Sequence, residues 1–313
     1  MIEKEAVHRF ARDLAALVPA PAGPLAVAVS GGPDSLALLL LAEAAFPGRV
    51  RAATVDHRLR PESAGEAAFV ARICADRGIP HDILDASVAR AGEGLQAAAR
   101  EARYAVLTAW MRERGLAWLL TAHHADDQAE TLLMRLNRGS GVAGLAGIRA
   151  RTPFDDAVLV RPLLGWRRDE LAALVRVEGL TPIDDPSNAD PAYDRVRVRR
   201  RLAEAPWLDP AALARSAAAL AEAEEALTAA AATLAAERLR RDGAGWRLDP
   251  RGLPREILRR LVTAALTGAA PRGEQVSALL ADLEAGRTVT LAGVKCSGGA
   301  EWRFAPAPPR RTG

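Results

Sequence analysis

Over its first two-thirds the chain alternates short apolar runs with longer stretches whose apolar residues recur at helical spacing. The runs "LAVAVS" from Leu25, "VRAATVDH" from Val50, "HDILDA" from His81, "AWLLTAHH" from Ala117 and "AVLVRPLL" from Ala157 read as strands. Helices are expected between and after them: from Ser35, from Glu62 to Gly78, from Glu93 to Gly115, from Ala125 to Gly139 and from Arg167 to Gly179. A glycine just past the last turn is a common way to end a helix. Strands separated by helices predict an α/β fold, a parallel sheet with helices on both faces.

The pattern changes after Leu202. Asp209 is placed to cap, and Pro210 to open, one long helix with Arg238, Arg240 and Arg241 in its last turns and Gly243 after them. Two shorter helices are expected around Arg255–Leu266 and Glu274–Ala285. The stretch "TVTLAGVKCSGGAEWRFAP" then reads as a β-hairpin turning at Ser297–Gly299. The expected organisation is an α/β domain over 1–205 and a smaller, mainly helical domain with a β-hairpin over 206–313, ending in a loose tail from Pro306.

Composition narrows the classes. Half of the 313 residues are hydrophobic, enough for a sizeable core. Only Lys4 and Lys295 are lysines among the 42 basic residues, so the other 40 are arginines. A single arginine therefore says little, and only dense clusters carry weight. The net charge of +3 permits nucleic-acid binding without requiring it. Two distant cysteines, Cys74 and Cys296, argue against a disulfide framework or a cysteine zinc site. The charged, amphipathic start does not read as a signal peptide. No apolar run approaches the ~18 residues of a membrane span. The chain reads as soluble and cytoplasmic, with no membrane partner.

The first candidate site is the loop Ser30-Gly31-Gly32-Pro33-Asp34-Ser35, between the first strand and its helix. A helix start offers unpaired N–H groups and a positive dipole end, which suit phosphate. Adjacent glycines let backbone approach an anion, two serines add hydroxyls, and Pro33 fits the first helical turn. Asp34 would repel phosphate, so it is either a Mg²⁺ ligand or a helix-start carboxylate. No G-K-[ST] and no G-x-G-x-x-G is present there. The plainer alternative is a tight turn with Asp34 capping.

An S-G-G-x-D-S loop after a first strand resembles the pyrophosphate loop, or PP-loop, of enzymes that cleave ATP between its α and β phosphates. Three further stretches narrow the resemblance: "VDHRLRPES" from Val55, "TAHHADDQAETLLMRLNRGSGVAGLAGI" from Thr121 and "DDPSNADPAYDRVRVRRRL" from Asp184. Together the four resemble the bacterial tRNA(Ile)-lysidine synthetases, in their short form with one C-terminal domain, over roughly Leu25–Leu202. That resemblance implies a PP-loop, Rossmann-like catalytic domain and a tRNA-binding C-terminal domain. It also implies a ligase that uses ATP with Mg²⁺, free L-lysine and an isoleucine tRNA with a CAU anticodon. The wobble cytidine's C2 oxygen would attack the α-phosphate, pyrophosphate would leave, and the lysine ε-amine would then displace AMP to give lysidine. The oligomeric state stays open, a homodimer being compatible with the sequence.

The residues can be set against that chemistry. In "HHADDQAE", Asp127 and Glu130 are three apart and share a helix face, at the carboxyl end of a strand. The resemblance carries lysine binding and a catalytic role to them, alongside Asp34; Asp126 is either a further member or a helix-start residue. His57 and Arg60 resemble the family's H-x-L-R motif near the nucleotide, Arg60 being either that residue or one of the many surface arginines. Arg100 and Arg103 lie on one helix face beside Tyr104, either toward substrate or on a solvated face. Five arginines crowd Arg195–Arg201, a candidate for tRNA phosphates. Arg195 and Arg199 match the family arginines, whereas Val196 stands where the family usually has Asn. The glycine-rich stretch after Asn137 is either a flexible linker or part of substrate binding.

Two rivals fit less well. A tRNA thiolase would need reactive cysteines, for which Cys74 and Cys296 are poorly placed. A nucleotide-binding regulator would explain the loop but not the acidic helix and the arginine cluster together.

Overall fold

The computed structural model describes residues 2–19, 23–58, 62–86, 95–184, 190, 192–266, 271 and 273–307. Arg60 and the tail beyond 307 lie outside the described residues. Two compact units divide between Ala221 and Glu222. The sequence pattern changes at 205/206, but this divide falls inside a long helix.

The first unit runs α1 (Lys4–Leu17), β1 (Leu25–Ala28), α2 (Pro33–Ala45), β2 (Val50–Asp56), α3 (Ser63–Asp76), β3 (His81–Asp85), α4 (Leu95–Arg114), β4 (Trp118–Leu120), α5 (Ala125–Leu136) and α6 (Val142–Leu145). It continues through β5 (Arg151–Phe154), β6 (Ala157–Val160), α7 (Arg168–Val177), α8 (Asp194–Ala203) and the start of α9 (Pro210–Arg238). The sheet order is β3-β2-β1-β4-β6-β5. All neighbours pair in parallel except β5, an edge strand antiparallel to β6. The sequence pattern hid β5 because it is short and carries Pro153. The hairpin turns at Asp155, whose φ of 47° suits the tolerance of Asp for left-handed backbone.

Core packing explains the apolar pattern. Leu36–Ala42 of α2 are all buried, because α2 lies between the sheet and the helices α1 and α7. One cluster joins Phe10 and Leu14 of α1, β1, α2, Val70 and Ile73 of α3, and Leu171 and Val175 of α7. A second cluster covers the other face with Leu107, Trp110 and Met111 of α4. Each such buried side chain contributes about 1.5–3 kcal/mol of burial. The helices thus lie on both faces, as the alternating pattern predicts.

The second unit contains the rest of α9, β7 (Leu239–Asp242), β8 (Gly245–Leu248), α10 (Arg255–Ala265), α11 (Gly273–Glu284), β9 (Thr288–Leu291), β10 (Val294–Ser297) and β11 (Trp302–Pro306). Its strands form one five-stranded sheet, β7-β8-β11-β10-β9, antiparallel at each pairing. This corrects two expectations. The unit holds a whole sheet rather than one hairpin, and α9 stops at Arg238 rather than reaching Arg241. Asp242-Gly243 explains the second: Gly243 has φ 56°, the left-handed backbone of a tight hairpin turn, and Arg247 holds Asp242 at 2.7 Å. Pro306 pairs within β11 and does not begin a tail. Asp209 caps α9 as expected, accepting from the N–H of Ala211 and Ala212.

Candidate active site

The sheet order reverses beside β1, which pairs β2 on one side and β4 on the other. Open α/β sheets bind ligands at the carboxyl ends of their strands at such a switch point. The two loops that leave there are Ser30–Ser35 and Thr121–Asp127.

The first loop is braced internally. The Ser35 hydroxyl accepts from Ser30 N–H at 3.1 Å and donates to the Gly32 carbonyl at 3.0 Å, with Ser30 Oγ 3.2 Å away. Ser35 therefore shapes the loop. The N–H groups of Asp34 and Ser35 in the first turn of α2 have no carbonyl partner within the helix, as at any helix start. Gly31 has φ 85°, and a Cβ there would meet Ile183 Cδ1 at 2.3 Å. The Gly31 carbonyl also accepts from Ile183 N–H at 3.0 Å. Both the backbone and the space call for glycine.

Asp34 points from α2 toward the second loop. Its Oδ2 lies 3.4 Å from Nε2 of the buried His124, while its Oδ1 is buried without a hydrogen-bond partner. An orphaned carboxylate oxygen at a helix start fits a divalent cation. Among the described residues no three His, Cys, Asp or Glu side chains converge on a metal position. The ion would then take its other ligands from phosphate and water, as Mg²⁺ commonly does.

His124 caps α5. Its Nδ1 accepts from Asp127 N–H, and its own N–H donates to Asp127 Oδ2 at 3.0 Å. Asp127 Oδ1 accepts from Arg195 Nη2 at 2.9 Å. Burial alone would raise the Asp127 carboxyl, but His124 and Arg195 together hold it below the ordinary carboxylate value. Glu130, 1% exposed, accepts from Arg195 Nε at 2.6 Å and from Arg199 Nε at 2.7 Å. Burial alone would lower the Arg199 guanidinium, yet Glu130, Asp127 and Asp34 hold it above its usual value.

The residues expected to bind lysine and those expected to bind RNA thus meet in one network. It runs from Asp34 through His124, Asp127 and Arg195 to Glu130 and Arg199. Both Glu130 oxygens are occupied within it. Val196, where the family usually has Asn, is buried and so suits an apolar side chain. Asp126 lies 3.7 Å from His124 Nδ1 but is held from the other side: Arg167 grips both its oxygens at 3.2 Å, and it accepts from Arg168 N–H at 2.9 Å at the start of α7. The glycine-rich stretch is tied to α5. The Gln128 amide bonds both the N–H and the carbonyl of Ile148, and Arg135 holds the Gly144 and Gly147 carbonyls.

Cationic and neutral groups line the neighbouring strand ends. Burial, with Arg103 next, holds the His57 imidazole below its ordinary value against Asp56. His57 Nδ1 is buried without a hydrogen-bond partner. Burial also lowers the Arg103 guanidinium. Arg100 is exposed and lies 4.9 Å from the Tyr104 ring centroid. Of two further members, the sequence places His123 four residues from Asp127 with capping, packing or a zinc site open to it, and it leaves Arg161 unmarked. Burial, with Arg161, Arg195 and Arg103 nearby, pushes the His123 imidazole down to about 4 against the pull of Asp127. Arg161 is buried at the end of β6, donates to the Arg149 carbonyl and Thr152 Oγ1, and keeps Nε unpartnered. A lone arginine inside the apolar run "AVLVRPLL" was the available signal.

Residues 6–205 match the PP-loop domain family. The tRNA(Ile)-lysidine synthase of Zymomonas mobilis subsp. mobilis is 49% identical over 298 residues, covering 92% of this chain and 90% of that one. That of Novosphingobium aromaticivorans is 49% identical over 316 residues, covering 98% and 95%. Among solved structures, the U34-tRNA thiolase NcsA from Methanococcus maripaludis with its 4Fe-4S cluster gives a TM-score of 0.58 at 18% identity. That match covers 72% of this chain and 78% of the other, and it is a likeness of fold.

Proposed function

The chain belongs to the tRNA(Ile)-lysidine synthase family of PP-loop proteins, and from that premise we propose that it joins lysine to C2 of the wobble cytidine of isoleucine tRNA with a CAU anticodon. ATP is the second substrate, and AMP and pyrophosphate leave. The observation that carries the reading is the run of close polar contacts from Asp34 of the PP-loop, 3.4 Å from His124, to Arg199 of α8, set at the switch point of the sheet.

The roles follow from the chemistry. Ser30–Ser35 cradles the departing pyrophosphate with the N–H groups of the first turn of α2, where negative charge is favoured. Asp34 would hold Mg²⁺, which when bound would neutralise charge on the phosphates. His57, whose imidazole is held below its ordinary value by partial burial and by Arg103, offers an uncharged partner beside the nucleotide. Asp127 receives the lysine ammonium, in competition with Arg195. Glu130 acts as a positioning residue, because its two oxygens already hold Arg195 and Arg199. Among the described residues those arginines keep Nη1 outside the network, free to meet a phosphate of ATP or tRNA. Arg100 and Arg103 add positive charge on the RNA side.

Sulfur transfer, the reaction named for the fold neighbour, is a poorer fit here. Both cysteines are buried, and burial pushes each thiol up to about 11. Among the described residues no helix is long and apolar enough to cross a membrane, and the proposed reaction belongs to the cytoplasm, where tRNA is found.

The test is incubation with ATP, labelled lysine and unmodified isoleucine tRNA carrying CAU. Label should enter the tRNA only when all three are present, with AMP released. No incorporation, or equal incorporation into tRNA carrying GAU, would defeat the proposal.

A further inference from the structure

Beside the contact of α5 with α8 lies a groove of about 540 Å³, beginning one helical turn beyond Glu130. Its floor is apolar, with Leu133 and Met134 from α5 and Val198 and Leu202 from α8. Arg138, Arg197 and Arg201 also line it, against a single carboxylate, Asp194. Five large apolar side chains are exposed among the described residues, and three of them immediately precede a lining residue. These are Leu136 before Asn137, Tyr193 before Asp194, and Trp207, 80% exposed, before Leu208. Trp207 falls in the chain between the lining residues Ala205 and Leu208, which puts a large exposed ring on the same short segment as the groove wall.

We propose that this groove seats single-stranded nucleotides of the tRNA that flank the reacting cytidine. The inference rests on the tRNA reading above and adds the surface that would hold the RNA. Three features favour RNA over a protein occupant. The lining carries three guanidinium groups for one carboxylate, as a phosphate backbone demands. The apolar floor and the exposed aromatic rings offer faces on which bases stack without regard to sequence. The groove also shares α5 and α8 with Asp127, Glu130, Arg195 and Arg199, so a strand threaded along it reaches the reaction site within a turn or two of helix. Arg138 and Arg197 both pair with Asp194, which holds them over the groove for a phosphate to engage.

The test compares the full-length enzyme with W207A, W207Y and the double variant R197A/R201A, all changes at exposed positions. Binding of unmodified CAU isoleucine tRNA is measured across a salt series, with steady-state kinetics for each substrate. W207A should weaken tRNA binding about tenfold, the loss of one stacked base, and W207Y should restore most of it. R197A/R201A should lower the salt slope by about 1.4, the share of two single-strand phosphate contacts. KM for tRNA should rise in both, while KM for ATP and lysine stays at the wild-type value. If wild-type enzyme incorporates lysine and the variants keep its tRNA affinity and salt slope, the groove inference fails alone. If wild-type enzyme neither binds tRNA nor incorporates lysine, the functional reading fails and takes the groove with it. A dimer in sedimentation that W207A dissociates, with tRNA affinity unchanged, would overturn the inference in favour of a second copy of the chain.

Discussion

Arg195 and Arg199 leave α8 on the side of α5, while Arg197 and Arg201, two residues further along and about 200° around the helix, line the open groove. The residue type, the helix and the i,i+4 spacing are the same. What differs is the partner. The inner pair closes on Glu130, a carboxylate 1% exposed. The outer pair meets Asp194 and Glu204, both open to solvent. A charge pair with one buried member is costly to break from one side, whereas exposed pairs contribute about 0–1 kcal/mol. The inner arginines are therefore held by a buried carboxylate, whereas the groove proposal asks the outer ones to exchange solvent-exposed carboxylates for phosphate.

Substitution of Glu130 tests that division most severely. E130Q removes the buried carboxylate that Arg195 and Arg199 share and should cost about 3–5 kcal/mol in denaturant unfolding, with lysine incorporation lost. A cost below about 1 kcal/mol would place Glu130 on the same footing as the outer acids. The next effect belongs to Asp127. D127N keeps the shape but loses the charge, and should raise KM for lysine about tenfold or more, the worth of a charge-assisted hydrogen bond. ATP binding should change little. Equal loss of affinity for both substrates would move Asp127 from the lysine side to the nucleotide side.

These contrasts also show what the sequence could and could not convey. The loop Ser30–Ser35 was legible because its chemistry is local: strand, small residues, Pro33 at the first turn and a buried helix follow one another in the chain. The grouping of Glu130 with Arg195 and Arg199 was not, because partners 65 and 69 residues apart are joined only by the packing of α5 on α8. Periodicity placed Asp127 and Glu130 on one face correctly, yet it could not say that the face was already occupied by arginines. Likewise β7 was hidden by composition. Four residues of "LRRD" at the end of an alanine-rich helix carry too little alternation to announce a strand, and the pairing with β8 decides it.

Beside the inner pair, His123 carries a pH signature, and two other histidines of the first unit share its direction. Burial holds His57, His81 and His123 below their ordinary values, with His123 down to about 4. The unfolded chain, titrating near 6.5, then binds more protons than the folded one between about 4 and 6.5. Stability from His123 is thus fully present above about pH 6.5 and is lost as the pH falls toward 4. Asp127, held below its usual value, acts in the same direction but lower, as the pH falls through and below the carboxylate range. Urea midpoints between pH 7.5 and 5 should fall in the wild type and fall less in H123Q, while R197A/R201A keeps the wild-type slope. An unchanged slope in H123Q would mean that the neutral imidazole is not part of the buried network.

Smaller effects separate neighbours in the chain. D126A removes the bidentate contact with Arg167 and the cap on α7, and should cost about 1–2 kcal/mol without altering KM for lysine. A lysine defect there would mean that Asp126 and Asp127 act together. The smallest effect is expected at Arg201, which is 84% exposed and pairs only with Glu204 among the described residues. R201A should change stability by no more than about 0.5 kcal/mol, because water replaces the carboxylate at once. A cost above about 1 kcal/mol would mean that the outer face carries structural ion pairs as the inner one does. The distinction between the two sides of α8, and with it the freedom of the outer arginines to take up phosphate, would then be lost.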